Sequence, residues 1–357
     1  MRVKTVEYRN GKLKIIDQRR LPNNTTYKTL GSLKDVTRAI KALSVRGAPA
    51  IGVCAAYGVY VSIRNLKFKK RKDFFKKLYE IVEKMKAARP TAVNLSWAME
   101  RIKAKACKNK NKSVEQICSI LLKEAKWIHS QDEAMCRKIG EFGQRLLKNK
   151  DVVLTHCNAG ALATAGDGTA LSVIYAAKKR GKRIKVYADE TRPLLQGARL
   201  TTWELMRKGI DVTLICDNMA ASLMKARKVS KIIVGADRIT ANGDFANKIG
   251  TYNLALLGQF HKIPFYVCAP SSSFDFSLSD GKNIPIEQRG PDEVRKVGPV
   301  YIAPKNVKVY NPAFDVTPGE LVTAFVTEKG TYRKPYRESL NRLKHETTRH
   351  RRNSSNK

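Results

Sequence analysis

Cys157 and Asp237 are the residues whose surroundings in the sequence suggest acid–base chemistry. Cys157 stands in THCNAGALATAGDGTAL (Thr155–Leu171), between the apolar run DVVL and the helix-like SVIYAAKK. A thiol near a helix N-terminus and cations is more acidic than a free one. Asp237 follows the apolar IIVGA, where partial burial raises a carboxyl pKa and lets the group serve as acid as well as base. The small residues after Cys157, with Gly160, Gly166 and Gly168 among them, admit two explanations. Either a packed turn needs glycine for steric reasons, or the backbone N–H groups hold an anion beside the thiol at a helix N-terminus.

Arginines in otherwise sparsely charged stretches supply forked donors for phosphate oxygens. They are Arg46 in VRGAPAIG, Arg89 in ARPTAVNL, and Arg192 and Arg199 in ETRPLLQGARLT. Neither the Walker pattern nor GxGxxG occurs, which disfavours ordinary nucleotide binding. His156 is open to two readings, a ligand contact or a structural histidine. The five histidines show no metal spacing, and no metal or cofactor is expected. An acid, a base and a phosphate cradle without a cofactor motif suit proton relocation on a sugar phosphate.

The elements that must position these groups change in pattern near Lys150. Before it, SLKDVTRAIKAL behind Ser32, APAIGVCAAYGVYVSIR, LSWAMERIKAKA and the long stretch from Ser113 carry apolar residues at helical spacing. The first twenty residues alternate in strand fashion. From Asp151, the runs DVVLTHC, IKVYADE, DVTLICD, KIIVGAD and PFYVCAP alternate with helical stretches, which predicts an α/β fold with a doubly wound parallel sheet. Each run ends in polar residues, and the carboxyl ends of such strands form the ligand crevice. The expected division is a helical domain over 1–150, a catalytic α/β domain over 151–344 and a basic flexible tail over 345–357.

At 357 residues, two domains are expected. No run approaches the roughly 20 apolar residues of a membrane span, and the N-terminus lacks a secretory signal, so a soluble cytoplasmic protein is expected. Seven dispersed cysteines read as reduced thiols. The net charge of +38 points toward polyanions, but it is diffuse and comes with no nucleic-acid motif. A nucleic-acid partner is therefore not expected.

The ordered set DQRRLP, VRGAPAIG, RPTAVNLSWAMER, THCNAGALATAG, YADETRPLLQGARLT, LICDNMA, VGADRITANGDFANKIGTYNLA, YVCAPSSSFD and YNPAFDVTP closely resembles the methylthioribose-1-phosphate isomerase family of methionine salvage, over about residues 1–340. The resemblance implies an N-terminal helical domain opened by a small antiparallel sheet, a C-terminal Rossmann-like domain, a homodimer, and kinship with regulatory subunits of the initiation-factor-two exchange factor. It makes Cys157 and Asp237 the catalytic pair, with Asp237 the proton donor. Arg46, Gly47, Ala48, Arg89, Gln196, Asn247 and Lys248 become the substrate-binding residues. Lys248 comes from the resemblance alone, since one lysine among so many cannot be singled out by composition. Where the family's Gly-rich loop carries an uncharged residue this chain has Asp167, expected to point outward because a second negative charge close to a phosphate is unfavourable.

The reaction implied is conversion of 5-methylthioribose 1-phosphate to its ketose without metal or nicotinamide. Asp237 would protonate the ring oxygen as the ring opens. Hydrogen would move from the second carbon to the first either as a proton through an enol-type intermediate with Cys157 as relay, or as a hydride. The alternatives are a ribose-1,5-bisphosphate isomerase and a non-catalytic exchange-factor-like subunit.

Overall fold

The computed structural model describes residues 3–90 and 92–355, with side chains as far as Glu346. The chain divides into two compact units, Met1–Arg137 with Ala159–Gly168, and Lys138–Asn158 with Thr169–Lys357.

In the first unit, β1 (Val6–Arg9) and β2 (Lys12–Ile16) form a hairpin, and β3 (Tyr27–Leu30) pairs with β2, all antiparallel. The hairpin turns on Asn10 and Gly11, both left-handed at φ 51° and 72°, the Asn-Gly chemistry that two-residue turns favour. Ser32 caps α1 (Leu33–Lys41), its hydroxyl accepting from Asp35 N at 3.2 Å. Then follow α2 (Ala48–Ile63), α3 (Arg71–Lys86), α4 (Val93–Lys108) and α5 (Val114–Gly143). Helix α2 is apolar on every side because α1, α3 and α4 pack around it, and nearly all its residues are buried. A β-carbon at Gly52 would lie 2.8 Å from Asn94 O, so glycine there lets α4 approach closely.

The second unit holds a seven-stranded sheet. Its strands are β4 (Val152–Thr155), β5 (Lys185–Asp189), β6 (Asp211–Ile215), β7 (Lys231–Val234), β10 (Phe265–Cys268), β15 (Ala324–Thr327) and β16 (Gly330–Tyr332). The order is β16-β15-β10-β7-β4-β5-β6, parallel except at β16. The central strands are almost wholly buried, as continuous runs such as Ile-Ile-Val and Phe-Tyr-Val-Cys require. Helices α6 (Ala170–Lys179), α7 (Thr202–Arg207), α8 (Ala220–Lys225) and α9 (Thr251–Phe260) fall among the strands. A smaller sheet, which the sequence pattern does not reveal, joins β8 (Arg238–Thr240), β9 (Phe245–Lys248), β11 (Phe274–Asp275) and β14 (Phe314–Thr317) in the order β11-β8-β9-β14.

The units divide inside α5, earlier than the change of pattern near Lys150. The cause is packing at the end of that helix. A β-carbon at Gly140 would lie 2.8 Å from Ser172 O, and Gly143 abuts Val173, so the last turns of α5 belong with α6. The segment Ala159–Gly168 joins the first unit because Thr5 Oγ1 donates to Ala161 O at 2.6 Å and Gln18 Nε2 to Leu162 O at 2.7 Å. The segment read as a flexible tail from His345 is, as far as Ser355, the end of helix α11 (Tyr336–Ser355). Leu340 and Leu343 bury one face of that helix, and Tyr332 donates to Glu346 at 3.1 Å. The rest of that segment, residues 356–357, lies outside the described residues. Among the described residues, no helix is long and apolar enough to cross a membrane.

Candidate active site

Cys157 and Asp237 leave the carboxyl ends of neighbouring parallel strands, β4 and β7. The two strands are joined beyond their ladder by Thr155 Oγ1, which donates to Ile233 O at 2.8 Å. Cys157 has a left-handed backbone, φ 61°, a conformation that a non-glycine residue keeps only where its surroundings impose it. They do so from both sides. Its N–H donates to Thr191 Oγ1 at 2.8 Å, and its carbonyl accepts from Thr201 Oγ1 at 2.5 Å. The half-buried thiol then points to Gln196, donating to Oε1 at 3.4 Å. By contrast Cys54 is fully buried, and burial pushes its thiol up to about 12, out of reach of ionisation at neutral pH. All seven cysteines are free.

The segment carrying Thr191 and Gln196 is itself tightly fixed. Both carboxylate oxygens of Asp217 accept from its backbone, from Thr191 N and Arg192 N at 2.8 Å each. At Gly197 a β-carbon would collide with Asp189 O, so only glycine permits the turn that follows Gln196. That turn is a single π-turn, Gly197–Thr201, a deviation often found at functional sites. Asn158, next to the thiol, donates to Thr201 Oγ1 and Glu204 Oε1 at 3.2 and 3.0 Å. Arg192 spends its guanidinium on Val294 O and Pro193 O, at 2.8 and 3.1 Å.

Asp237 is half-buried between β7 and β8, and its N–H donates to Ala246 O at 2.9 Å. This ties it to β9, whose last residues are Asn247 and Lys248. Asn247 donates to Thr251 Oγ1 at 2.9 Å. The buried Lys248 ammonium donates to Ala313 O at 2.9 Å and sits over the Phe314 ring, 4.9 Å from its centroid. The second unit therefore brings Cys157 and Gln196 into contact, and backbone pairing attaches Asp237 to the strand bearing Asn247 and Lys248.

In the first unit, Gly47 and Ala48 form the N-terminus of α2, directly after the buried Arg46. Gly47 has φ 87°, and a β-carbon there would overlap Ala163. No side chain caps this helix, whose N-terminus carries a partial positive charge. Arg89 is half-buried beyond the end of α3.

The Gly-rich stretch answers the steric question first. Gly168 has φ 93° and its missing β-carbon would collide with Gly160, while Gly166 abuts Cys136. Much of the backbone there is already engaged. Ala163 N and Thr164 N bond to Gly160 O and Ala161 O, and Gly166 N and Gly168 N to Thr164 Oγ1. Ala165 N donates to Asp132 Oδ2 at 2.6 Å. These N–H groups hold the turn together rather than cradle an anion. Asp132 belongs to no sequence motif, and burial pushes its carboxyl up to about 7. The divergent Asp167 is half-buried.

His156 is buried and bonded at both ring nitrogens, Nδ1 to Asp189 Oδ2 at 2.8 Å and Nε2 to Ile249 O at 2.9 Å. It presents no nitrogen to a ligand. Among the described residues, His156, Asp189 and Asp217 bring ligand atoms within 4.8 Å of one another. The ring nitrogens and both Asp217 oxygens are already in hydrogen bonds, so a cation would have to displace them.

Residues 44–334 match the model of the Initiation factor 2 subunit family. Methylthioribose-1-phosphate isomerase of Desulforamulus reducens is 53% identical over 94% of this chain and 97% of its own length. A Moorella thermoacetica protein named 5-deoxyribose 1-phosphate isomerase is 51% identical over 94% and 95%. The crystal structure of 5-methylthioribose 1-phosphate isomerase from Pyrococcus horikoshii OT3 is 45% identical, covers 96% of each chain and superposes with a TM-score of 0.90. That of a protein titled translation initiation factor eIF-2B, subunit delta, from A. fulgidus is 44% identical, covers 96% of this chain and 99% of its own, with a TM-score of 0.86. The fold is that of a sugar-phosphate isomerase scaffold shared with initiation-factor subunits. The chain belongs to the Initiation factor 2 subunit family, among its methylthioribose-1-phosphate isomerases.

Proposed function

We propose that this protein converts 5-methylthioribose 1-phosphate to 5-methylthioribulose 1-phosphate in methionine salvage, as a cytoplasmic homodimer. The observation that carries the reading is the placement of a thiol and a carboxyl at the ends of adjacent strands, the thiol on a backbone held left-handed by two threonines. The proposed substrate ligands are Gln196, Asn247 and Lys248 in the second unit and Arg46, Gly47, Ala48 and Arg89 in the first. Arg46 and the α2 N-terminus suit a phosphate, as does the Lys248 ammonium.

The substrate's phosphate occupies the anomeric carbon, so the ring cannot open spontaneously to a free aldehyde. Asp237 in its carboxylic acid form gives its proton to the ring oxygen as the carbon–oxygen bond opens. Hydrogen then passes from the second carbon to the first, as a hydride or as a proton relayed by Cys157, while the second carbon's hydroxyl becomes the ketone and returns a proton to the Asp237 carboxylate. The reaction is an internal redox exchange and needs no external oxidant. Gln196, bonded to the thiol, orients it in the resting enzyme.

Cys157→Ser and Asp237→Asn test this directly. General acid–base groups contribute about 10² to 10⁴-fold, so each variant should lose at least that in turnover while keeping the wild-type melting curve and product affinity. Near-normal turnover in either removes that residue from the mechanism. The likeness to the A. fulgidus chain supports a second reading, a non-catalytic binding subunit. Wild-type protein that turns over neither methylthioribose 1-phosphate nor ribose 1,5-bisphosphate would favour it, and preference for the bisphosphate would reassign the substrate.

A further inference from the structure

His156 is the residue before the reactive thiol, yet nothing in the proposed reaction uses it. It is 2% exposed and its partner Asp189 1%. The ring links three pieces of backbone: the end of β4 that carries Cys157, the end of β5 at Asp189, and Ile249, the residue after Asn247 and Lys248. The residue beyond, Gly250, has φ 100°, and a β-carbon on it would lie 3.0 Å from the ring. A side chain at this left-handed position would therefore be strained and press on the imidazole.

We propose that His156 is a positioning residue, which uses its two ring N–H groups to hold the Asn247–Lys248 strand end at a fixed place beside the Cys157 strand end. The inference rests on the reading of Cys157, Asn247 and Lys248 as site residues. A carbonyl only accepts, so Nε2 must carry a proton to meet Ile249 O. Where Asp189 is ionised, Nδ1 donates to it as well and the ring is an imidazolium. Burial opposes that charge, but the Asp189 bond and the Asp217 charge outweigh it and raise the pKa of the ring. The acidic groups facing it come from three elements: Asp189 on β5, Asp217 after β6, and Asp315 on β14, whose Oδ2 accepts from Gly250 N at 2.7 Å. A neutral ring keeps both bonds only where Asp189, whose carboxyl burial also raises, is protonated and donates to Nδ1.

Three measurements on the full-length protein decide the matter. Nitrogen NMR of the wild type should show one buried histidine doubly protonated from pH 6 to 8, and Asp189→Asn should bring its titration into that range. A neutral ring in the wild type would overturn the inference. His156→Gln should lower kcat/KM at least about tenfold, mainly through KM, with the fold retained by circular dichroism. If it fails to fold, Gly250→Ala, which presses a methyl group onto the ring, replaces it in the comparison. Combined with Lys248→Met, either variant should cost far less than the product of the separate losses, because both remove the same placed ammonium. Fully multiplicative losses would mean that His156 serves stability alone and would overturn the proposal. Unchanged turnover in Lys248→Met itself would instead defeat the site reading, while the NMR result would still report on the ring.

Discussion

The carboxyl of Asp132 shows how far a single residue can depart from what its type suggests. In the sequence it is one acid among many charges on a long helix. In the fold it is fully enclosed and holds the Gly-rich turn through Ala165 N. Burial raises its pKa from 3.8 to about 7. In that interval the native state keeps a proton that the unfolded chain has released. Stability is therefore highest below pH 4 as far as this group is concerned, and falls as pH rises to about 7. At about 1.4 kcal/mol per pH unit the loss amounts to a few kcal/mol. Asp132→Asn cannot ionise and should flatten the dependence, so that its melting temperature relative to wild type rises steadily between pH 4 and 8. Parallel profiles would show that Asp132 stays ionised in the folded protein. The strand-end positions of Cys157 and Asp237 were legible because each follows an apolar run of strand length, and strand ends are where sites gather. Asp132, His156 and Lys248 were not, because what sets them apart is enclosure by residues distant in sequence.

At the scale of elements, Gly168 in the turn after β4 and Gly181 after α6 separate backbone conformation from packing. Gly168 and Gly181 both have left-handed φ, 93° and 80°. A methyl group at Gly168 would strike Gly160, whereas nothing lies within 4 Å of the same atom at Gly181. Gly181→Ala should cost only the left-handed penalty of about 1–2 kcal/mol, and Gly168→Ala roughly twice that or more, read as the shift in denaturant midpoint. Equal costs would mean that the turn relaxes freely. The main strands could be read directly from their sequence, since Val-Val-Leu, Ile-Ile-Val and Phe-Tyr-Val-Cys are apolar runs of strand length bounded by polar residues. Helices α1, α2, α4 and α5 were equally plain from spacing and, for α1, the Ser32 cap, whereas the lysine-rich α3 was not. The small sheet was not, for β8 and β11 are two or three residues long and β9, Phe-Ala-Asn-Lys, has no apolar alternation. The allegiance of the Gly-rich stretch to the first unit escaped notice as well, because hydrogen bonds to Thr5, Gln18 and Asp132 decide it and local pattern does not.

For the whole molecule the dominant quantity is a net charge of +38, carried by 69 basic residues against 31 acidic ones. Charge of one sign works against a compact state through self-repulsion, and salt screens it over about 8 Å at physiological strength. Raising ionic strength from about 10 to 150 mM should therefore raise the melting temperature. Substrate binding answers to other forces, since a phosphate held by nearby fixed donors barely senses distant lysines. The end of the chain separates the two effects. Leu340 and Leu343 anchor α11 in the core, and replacing either with Ala should cost about 2–5 kcal/mol. Beyond Glu346 the chain adds Arg349, Arg351, Arg352 and Lys357 and no acidic residue. Ending the protein at Glu346 should leave kcat and KM for the sugar phosphate within about twofold, and should slightly raise the low-salt melting temperature by removing like charge. A large rise in KM on truncation would show that these cations serve the substrate, and a fall in melting temperature would show that they bind acidic groups of the fold.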